Sequence, residues 1–431
     1  MNKQIVQPVK GTRDFYPEQM AFRNYLYGKI REFAEKFGYQ EVDGPILEYF
    51  DLYANKTSQE ILEGQTFTIS ARGEQTIILR PEFTPTYARM VAQRSQELLK
   101  PIRWFSFGRT FRYEQPQKGR TREFFQLEVN LLGPETPEAD AEIIAIATQY
   151  LKALGLTSSE VVIKVNDREF MQTRLKEIGT SEKQVCPVLR LIDRKEKITT
   201  DEFRLSLLGV GLSKEVVEKV EEILTEKDYS KSPWLTQVFE TLKQYPGILD
   251  FIEFDPSIVR GFDYYTRTVF EAWDKSGKFG RSLFGGGRFD NLTAQIGGEK
   301  VPGVGFASGD IPIQVILEQY KKLPDLKPKT AQVLVTVFNT DLEGKSIEVA
   351  SFLRRSLSRA ESRDSNGINC ELWVEPGTKL DKQLKYADQK GIPYVVIIGP
   401  DEAKSNKITL KNLKEKTQQT MLIDEILSKL I

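Results

Sequence analysis

The segment FRYEQPQKGRTREFFQLEV, residues 111–129, lies between two runs of alternating apolar and polar residues, and no other feature restricts the fold so tightly. Before the turn, Phe105, Phe107, Phe111 and Tyr113 share one side with Arg109, while Ser106, Gly108, Thr110, Arg112 and Glu114 fill the other. After it, Phe125, Leu127, Val129 and Leu131 alternate with Phe124, Gln126, Glu128 and Asn130. Successive side chains of a strand point to opposite faces, so this period reads as two strands paired antiparallel. One face is apolar and belongs to a core. The other carries Arg112, Glu114, Phe124, Gln126 and Asn130, and the connecting loop adds Gln117, Lys118, Arg120 and Arg122. On an isolated hairpin such a face is simply solvated, but cations in the loop suit phosphate, guanidinium groups especially. The expected visitor is a nucleotide, a nucleic-acid end, or both.

The remaining pattern sets the domains. At 431 residues the chain exceeds one ordinary core, and two or three domains are expected. Phe22, Leu26, Ile30, Phe33, Ala34 and Phe37 recur at helical spacing, with Gly38 as a stop. YQEVDGPILEY reads as a strand interrupted at Gly44–Pro45, and Thr136 with Pro137 opens another helix. From about 166 to 252 the chain is charged and helical in pattern, an inserted helical module. Strand signals return in PSIVRGFDYYTRTVFEAW, RSLFGGGRFDNL and VPGVGFASGDIPIQVIL. KKLPDLKPKT then reads as a linker. Beyond it AQVLVTVFN, GINCELWVE and PYVVIIG alternate with helical segments such as SFLRRSLSRA and KLDKQLKYADQKG, the mark of a small α/β domain on a mostly parallel sheet.

Composition excludes several chemistries. Lys and Arg total 61, as do Asp and Glu, so any nucleic-acid contact must come from local patches. The chain has no histidine, which removes Ser-His-Asp triads, histidine bases and most zinc sites. Cys186 and Cys370 form neither a metal-ligand spacing nor a disulfide framework. No apolar run approaches a membrane span and the start lacks the apolar core of a signal peptide, so a cytoplasmic protein is expected.

KGTRD, LRPEFTPTYARM, FRYEQPQKGRTREFFQLEV, VRGFDYYTRTVFE and GGGRFDNL occur in that order along the chain, and together they resemble the class II histidyl-tRNA synthetases. The resemblance implies an α+β class II catalytic domain, an antiparallel sheet with helices, over residues 1–325. It includes the helical insertion, and an α/β anticodon-binding domain follows at 326–431. It implies a histidine–tRNA ligase that forms histidyl-adenylate from L-histidine and ATP and passes the histidyl group to the 3′ end of tRNA(His), as a homodimer using Mg2+. Arg112 and Arg260 would be catalytic. Glu82, Phe83, Thr84, Arg112, Gln126, Asn130, Arg260, Tyr264 and Tyr265 would bind histidine. Glu82, Thr84 and Gln126 would take its amino group, while Tyr264 and Tyr265 line the imidazole pocket. Arg112, Glu114 and Phe124 would bind ATP, with Phe124 stacked on adenine; Gln117, Lys118 and Arg120 would meet tRNA. No metal held by the protein alone is implied.

The sequence departs from the family pattern at three places. Ile311 and Pro312 stand where the third class-defining motif ends in Glu-Arg, the arginine contacting the γ-phosphate; Asn130 stands where a carboxylate accepts a hydrogen bond from the imidazole; Phe289 replaces a tyrosine. Asn130 still offers a carbonyl oxygen as acceptor, without charge assistance. The competing expectation is a catalytically silent relative, either a regulatory subunit or a tRNA sensor. The presence of residues 331–431 argues against the regulatory subunit. Gly285–Gly287 read equally well as turn glycines or as places of close approach.

Overall fold

In a computed structural model of the chain, residues 6–54, 66–69, 75–117, 119–260, 264–328, 330–355 and 368–430 are described. They form two compact units, Met1–Leu326 and Lys327–Ile431.

The strands of the first unit begin with β1 (Gln40–Glu41), β2 (Leu47–Tyr49), β3 (Phe67–Ile69), β4 (Ile77–Leu79), β5 (Ile102–Phe111) and β6 (Glu123–Leu132). They continue with β7 (Val161–Asp167), β8 (Ile252–Phe254), β9 (Thr268–Asp274), β10 (Ser282–Arg288) and β11 (Gly303–Gly309). Eight of them form one sheet in the order β1-β5-β6-β11-β10-β9-β7-β8, with β5 and β6 as the antiparallel hairpin. YQEVDGPILEY is not one strand: the break at Gly44–Pro45 divides it into β1, parallel to β5, and β2, which joins β4 and β3 in a three-stranded sheet.

Helix α1 (Pro17–Lys36) starts with proline at its first position, where no N–H is needed, and is followed by Gly38 at φ 76°. It buries Leu26, Ile30, Phe33 and Ala34. Short α2 (Phe50–Tyr53) and α3 (Thr84–Gln93) follow, and then α4 (Pro137–Ala153), capped by the Thr136 side chain accepting from Ala139 N. The buried faces of α1 and α4 share a core with Phe105, Leu127, Val129 and Leu131 of the hairpin.

The helical segment read as one module divides in two. Helices α5 (Arg168–Glu177), α6 (Glu182–Arg194), α7 (Thr200–Gly209) and α8 (Lys214–Ile223) enclose their own core of Met171, Leu175, Val188, Leu189, Phe203, Leu207 and Val220. Helix α9 (Pro233–Leu242) instead places Leu235, Val238, Phe239 and Leu242 in the main core, and Asn166 and Asp167 end strand β7. Helical periodicity shows that a face is buried but not which core receives it. After α10 (Leu292–Gln295) and β11 comes α11 (Asp310–Gln319).

The second unit holds β12 (Val333–Val335), α12 (Glu343–Arg355), β13 (Cys370–Leu372), α13 (Leu380–Lys390) and β14 (Tyr394–Ile397), then α14 (Pro400–Lys404), β15 (Lys407–Asn412) and β16 (Thr417–Leu422). Its sheet order is β13-β12-β14-β15-β16. β12 pairs in parallel with β13 and β14, but β14, β15 and β16 are antiparallel, so the sheet is mixed rather than mostly parallel. β16 is a largely exposed edge strand of polar residues, which hides it from an apolar-pattern reading.

A fully buried ion pair ties the main sheet to helix α4. Arg288 of β10 and Asp140 of α4 approach to 2.6 Å with both side chains fully buried. Asp140 also accepts from Trp234 Nε1 at 2.7 Å and Thr268 Oγ1 at 2.5 Å, and Arg288 reaches Asp290 at 2.8 Å. Breaking such a pair leaves a buried charge without a counter-ion, so Arg288→Met is expected to cost about 3–5 kcal/mol in denaturant unfolding of the first unit. The double change Arg288→Met with Asp140→Leu should recover much of that loss. An unchanged midpoint in the single variant would contradict this role.

Candidate active site

The site is built on the second face of the hairpin. Gln126, Glu128 and Asn130 are 5%, 1% and 0% exposed, so this polar face is not a solvated one. Helix α3 and Tyr264, Tyr265 and Phe289 cover this side of the sheet in a second cluster. Burial obliges polar atoms to find partners, and the partners are partly there. Thr84 Oγ1, at the start of α3, donates to Glu128 Oε1 at 2.5 Å, and Asn130 Nδ2 donates to the same oxygen at 3.1 Å. Gln126 Oε1, Glu128 Oε2 and Asn130 Oδ1 are buried with no hydrogen-bond donor among the described residues.

The neighbouring strands keep this floor low. Gly305 of β11 sits opposite Asn130, and any side chain there would collide with Asn130 Oδ1. Gly285 of β10 leaves room for the Arg260 guanidinium, and a Cβ on Gly287 would lie 2.8 Å from the Tyr265 ring. Neither glycine has a positive φ and both lie within β10, so close approach, not turn geometry, accounts for them.

Two arginines flank the floor. Arg260 has φ 56°, a left-handed conformation unusual for a residue with a side chain and typical of functional positions. It is ion-paired with Glu271, and Arg168 donates to its carbonyl at 3.2 Å. Arg112 leaves the end of β5, donates from Nε to Pro81 O at 3.1 Å, and holds its guanidinium 5.4 Å from the centre of the Phe124 ring. Glu82 is buried, with Tyr264 donating to its Oε2 at 3.3 Å and Tyr53 donating to its carbonyl at 2.9 Å. The Tyr264 and Tyr265 rings are 4.7 Å apart, and Phe289 meets Tyr264 edge-on. Phe83 is fully buried and packs on Arg80 and Tyr87.

On the loop, Gln117 and Arg120 exchange backbone hydrogen bonds of 3.0 and 2.8 Å and are exposed. Lys118 lies outside the described residues. Glu114 keeps one buried oxygen, Oε2, without a hydrogen-bond donor among the described residues, although Arg120 Nε stands 3.4 Å from it. Arg122 is not a mobile cation: its N–H donates to Gly11 O, its Nε to Glu114 O, and its guanidinium lies on Tyr113. Arg13 of the KGTRD segment pairs with Asp310 at 2.7 Å, and Asp310 also accepts from Phe125 N. Pro312 and the Phe124 ring both lie close to Gly309.

Two groups escaped the sequence reading. Glu128 was legible by alternation between Gln126 and Asn130 but received no role. Burial pushes its carboxyl up to about 8, against the Thr84 and Asn130 donors; the Glu82 charge raises it further and Arg112 lowers it. Arg281, just before β10, lies against Gly119 of the loop within the field of Arg120 and Glu114. Its only sequence signal is a cation next to a glycine-rich strand. A cavity of about 560 Å3 lined by Tyr49, Leu52, Arg89 and Ile296 contains none of these groups. Buried acceptors between two arginines, walled by aromatic rings, suit an amino acid: acceptors for its ammonium, guanidinium for its carboxylate.

Residues 11–309 match the family model described as histidyl-tRNA synthetase, and 332–431 match the anticodon binding domain. A histidine–tRNA ligase of Leptospira biflexa is 36% identical, spanning 99% of this chain and 98% of its own. One from Thermococcus kodakarensis is also 36% identical, over 97% and 98%. A chloroplastic/mitochondrial one from Arabidopsis thaliana is 33% identical, over 98% and 86%. The histidyl-tRNA synthetase structure from Nostoc sp. PCC 7120 superposes with a TM-score of 0.77 at 23% identity, over 99% of this chain and 98% of its own, a likeness of fold. With the motifs in order on one site and this agreement along nearly its whole length, the chain belongs to the histidyl-tRNA synthetase family.

Proposed function

We infer that the chain is a histidine–tRNA ligase, activating L-histidine with ATP and transferring the histidyl group from the adenylate to the 3′ end of tRNA(His). The observation that carries this reading is the buried acceptor set of Gln126, Glu128 and Asn130 on β6, with Arg112 following β5 on one side and Arg260 against Gly285 of β10 on the other. In this reading Glu82 and Gln126 take the ammonium of histidine, beside Thr84 and Phe83. Arg260, fixed by Glu271, bridges the substrate carboxylate and the α-phosphate. Arg112 stands on the α-phosphate, and Phe124 stacks on adenine with Glu114 at its phosphate end. Tyr264 and Tyr265 wall the ring.

The chemistry asks for no proton-transferring side chain. Carboxylate and polyphosphate repel each other, and cations held in place before the reaction lower that barrier by meeting charge as it develops. In the second step a ribose hydroxyl attacks the histidyl carbonyl and AMP leaves, with a phosphate oxygen able to take the proton. A chain without histidine can do all of this. Mg2+ takes one or two carboxylates plus substrate phosphates rather than a cage of protein ligands. No group of three or more acidic or cysteine ligands gathers among the described residues. Glu114, with its buried Oε2, fits as the carboxylate that would hold the ion, whose contribution when bound is to neutralise phosphate charge.

Gln117, Lys118 and Arg120 would meet the acceptor end of tRNA, and the second unit its anticodon. A homodimer is supported by apolar side chains left exposed at Ile46, Leu47, Tyr49 and Ile69. A cytoplasmic setting goes with the same reading; no helix among the described residues is long and apolar enough to cross a membrane.

Charging of tRNA(His) with labelled histidine tests the assignment; failure of the purified protein to charge it would refute it. Within it, Arg260→Ala and Arg112→Ala should each keep the fold and lose roughly 10²–10³ in adenylation rate, the cost of a preorganised donor. Exchange at the native rate in either variant would remove that residue from the mechanism. Deleting residues 331–431 should leave adenylation largely intact and weaken charging; charging at full rate by the truncated chain would show that the second unit does not read tRNA.

A further inference from the structure

We propose that Glu128 is the specificity-determining partner of the histidine ring, and that Asn130 positions Glu128 instead of touching the ring itself. The inference rests on the histidine reading above and deepens it. Asn130 turns its Nδ2 toward Glu128 Oε1 and donates to it at 3.1 Å. Its own Oδ1 is thereby laid over Gly305 on the sheet floor. Thr84 adds a second donor to the same Glu128 oxygen. Oε1 is therefore engaged twice, while Oε2 is buried with no donor among the described residues.

Histidine brings two polar ends to be matched. Its ammonium has the Glu82 carboxylate and Gln126 Oε1, leaving Glu128 Oε2 for the ring. The electrostatic influence of Glu128 reaches both Tyr264 and Tyr265, the walls of the ring pocket. The carboxylate that the family places at the position of Asn130 is thus supplied two residues earlier on the same strand face. Either form of Glu128 serves a neutral imidazole, the carboxylate accepting the ring N–H and the acid donating to the bare ring nitrogen.

The test is histidine-dependent ATP–pyrophosphate exchange by the full chain, with β-(2-thienyl)alanine as a probe of similar ring size that lacks ring N–H. The wild type should reject the probe by about 10⁴ or more, as sites built to hydrogen-bond a polar group do. Glu128→Leu should lose at least about 10² in kcat/KM for histidine and a similar factor in discrimination, with the KM for ATP little changed. Glu128→Gln, of the same shape, should recover part of both and carries the test if the leucine variant fails to fold. Asn130→Asp sets a second carboxyl within contact of Glu128 and should raise the histidine KM at least 10-fold. Native discrimination in the Glu128 variants, or a lower histidine KM in Asn130→Asp, would overturn the proposal. A wild type inactive with histidine would instead overturn the reading on which it rests.

Discussion

Gln126, Glu128 and Asn130 present polar groups on a sheet face from which water is removed, and the first unit is arranged around that constraint. A buried polar group without a partner costs about 1–3 kcal/mol, more if charged. The chain meets part of this demand itself, with the Thr84 hydroxyl at the start of α3 and the Asn130 amide both serving Glu128. What is left is a set of buried acceptors with no donor among the described residues. The same constraint explains the glycines of β10 and β11. Gly305 makes room for the Asn130 amide, and Gly285 and Gly287 for Arg260 and Tyr265. Stability is recovered elsewhere, in the apolar face shared with α1 and α4.

The cations sort into two kinds once their partners are known. Arg122, Arg13 and Arg288 are structural, tying the N-terminal segment and the helices to the sheet. Arg112 and Arg260 are held in place by a backbone carbonyl and a carboxylate, the fixed geometry that the proposed electrostatic role calls for. Asp310 and Pro312 show how the third motif has been reused. Asp310 anchors Arg13 and the Phe125 amide, and Pro312 packs beside Gly309 at the position where the family pattern has a guanidinium.

Much of this was legible in the sequence because it follows from short-range rules. Alternation gave the hairpin and its two faces, and Gly38, Thr136 and Pro137 marked helix ends. The motif order carried the family, and it singled out Gln126 and Asn130, which lie buried beside Glu128 on one face of β6. The misreadings are of relations that a linear pattern does not encode. Nothing in a period of 3.6 says that α9 packs on the main core while α5–α8 build another. A strand interrupted at Gly44–Pro45 does not say that its halves enter different sheets. The polar edge strand β16 has no apolar rhythm to detect. Arg122 looks like any loop cation until its partners are seen, and Glu128 gains a role only when Asn130 is found donating to it.

The central claim is that this floor selects histidine by its hydrogen-bonding groups. Measuring ATP–pyrophosphate exchange with each of the twenty amino acids in turn tests it most directly. Exchange is expected with histidine, and none of comparable rate with the other nineteen. Comparable exchange with an amino acid whose side chain cannot hydrogen-bond, or none with histidine, would contradict it.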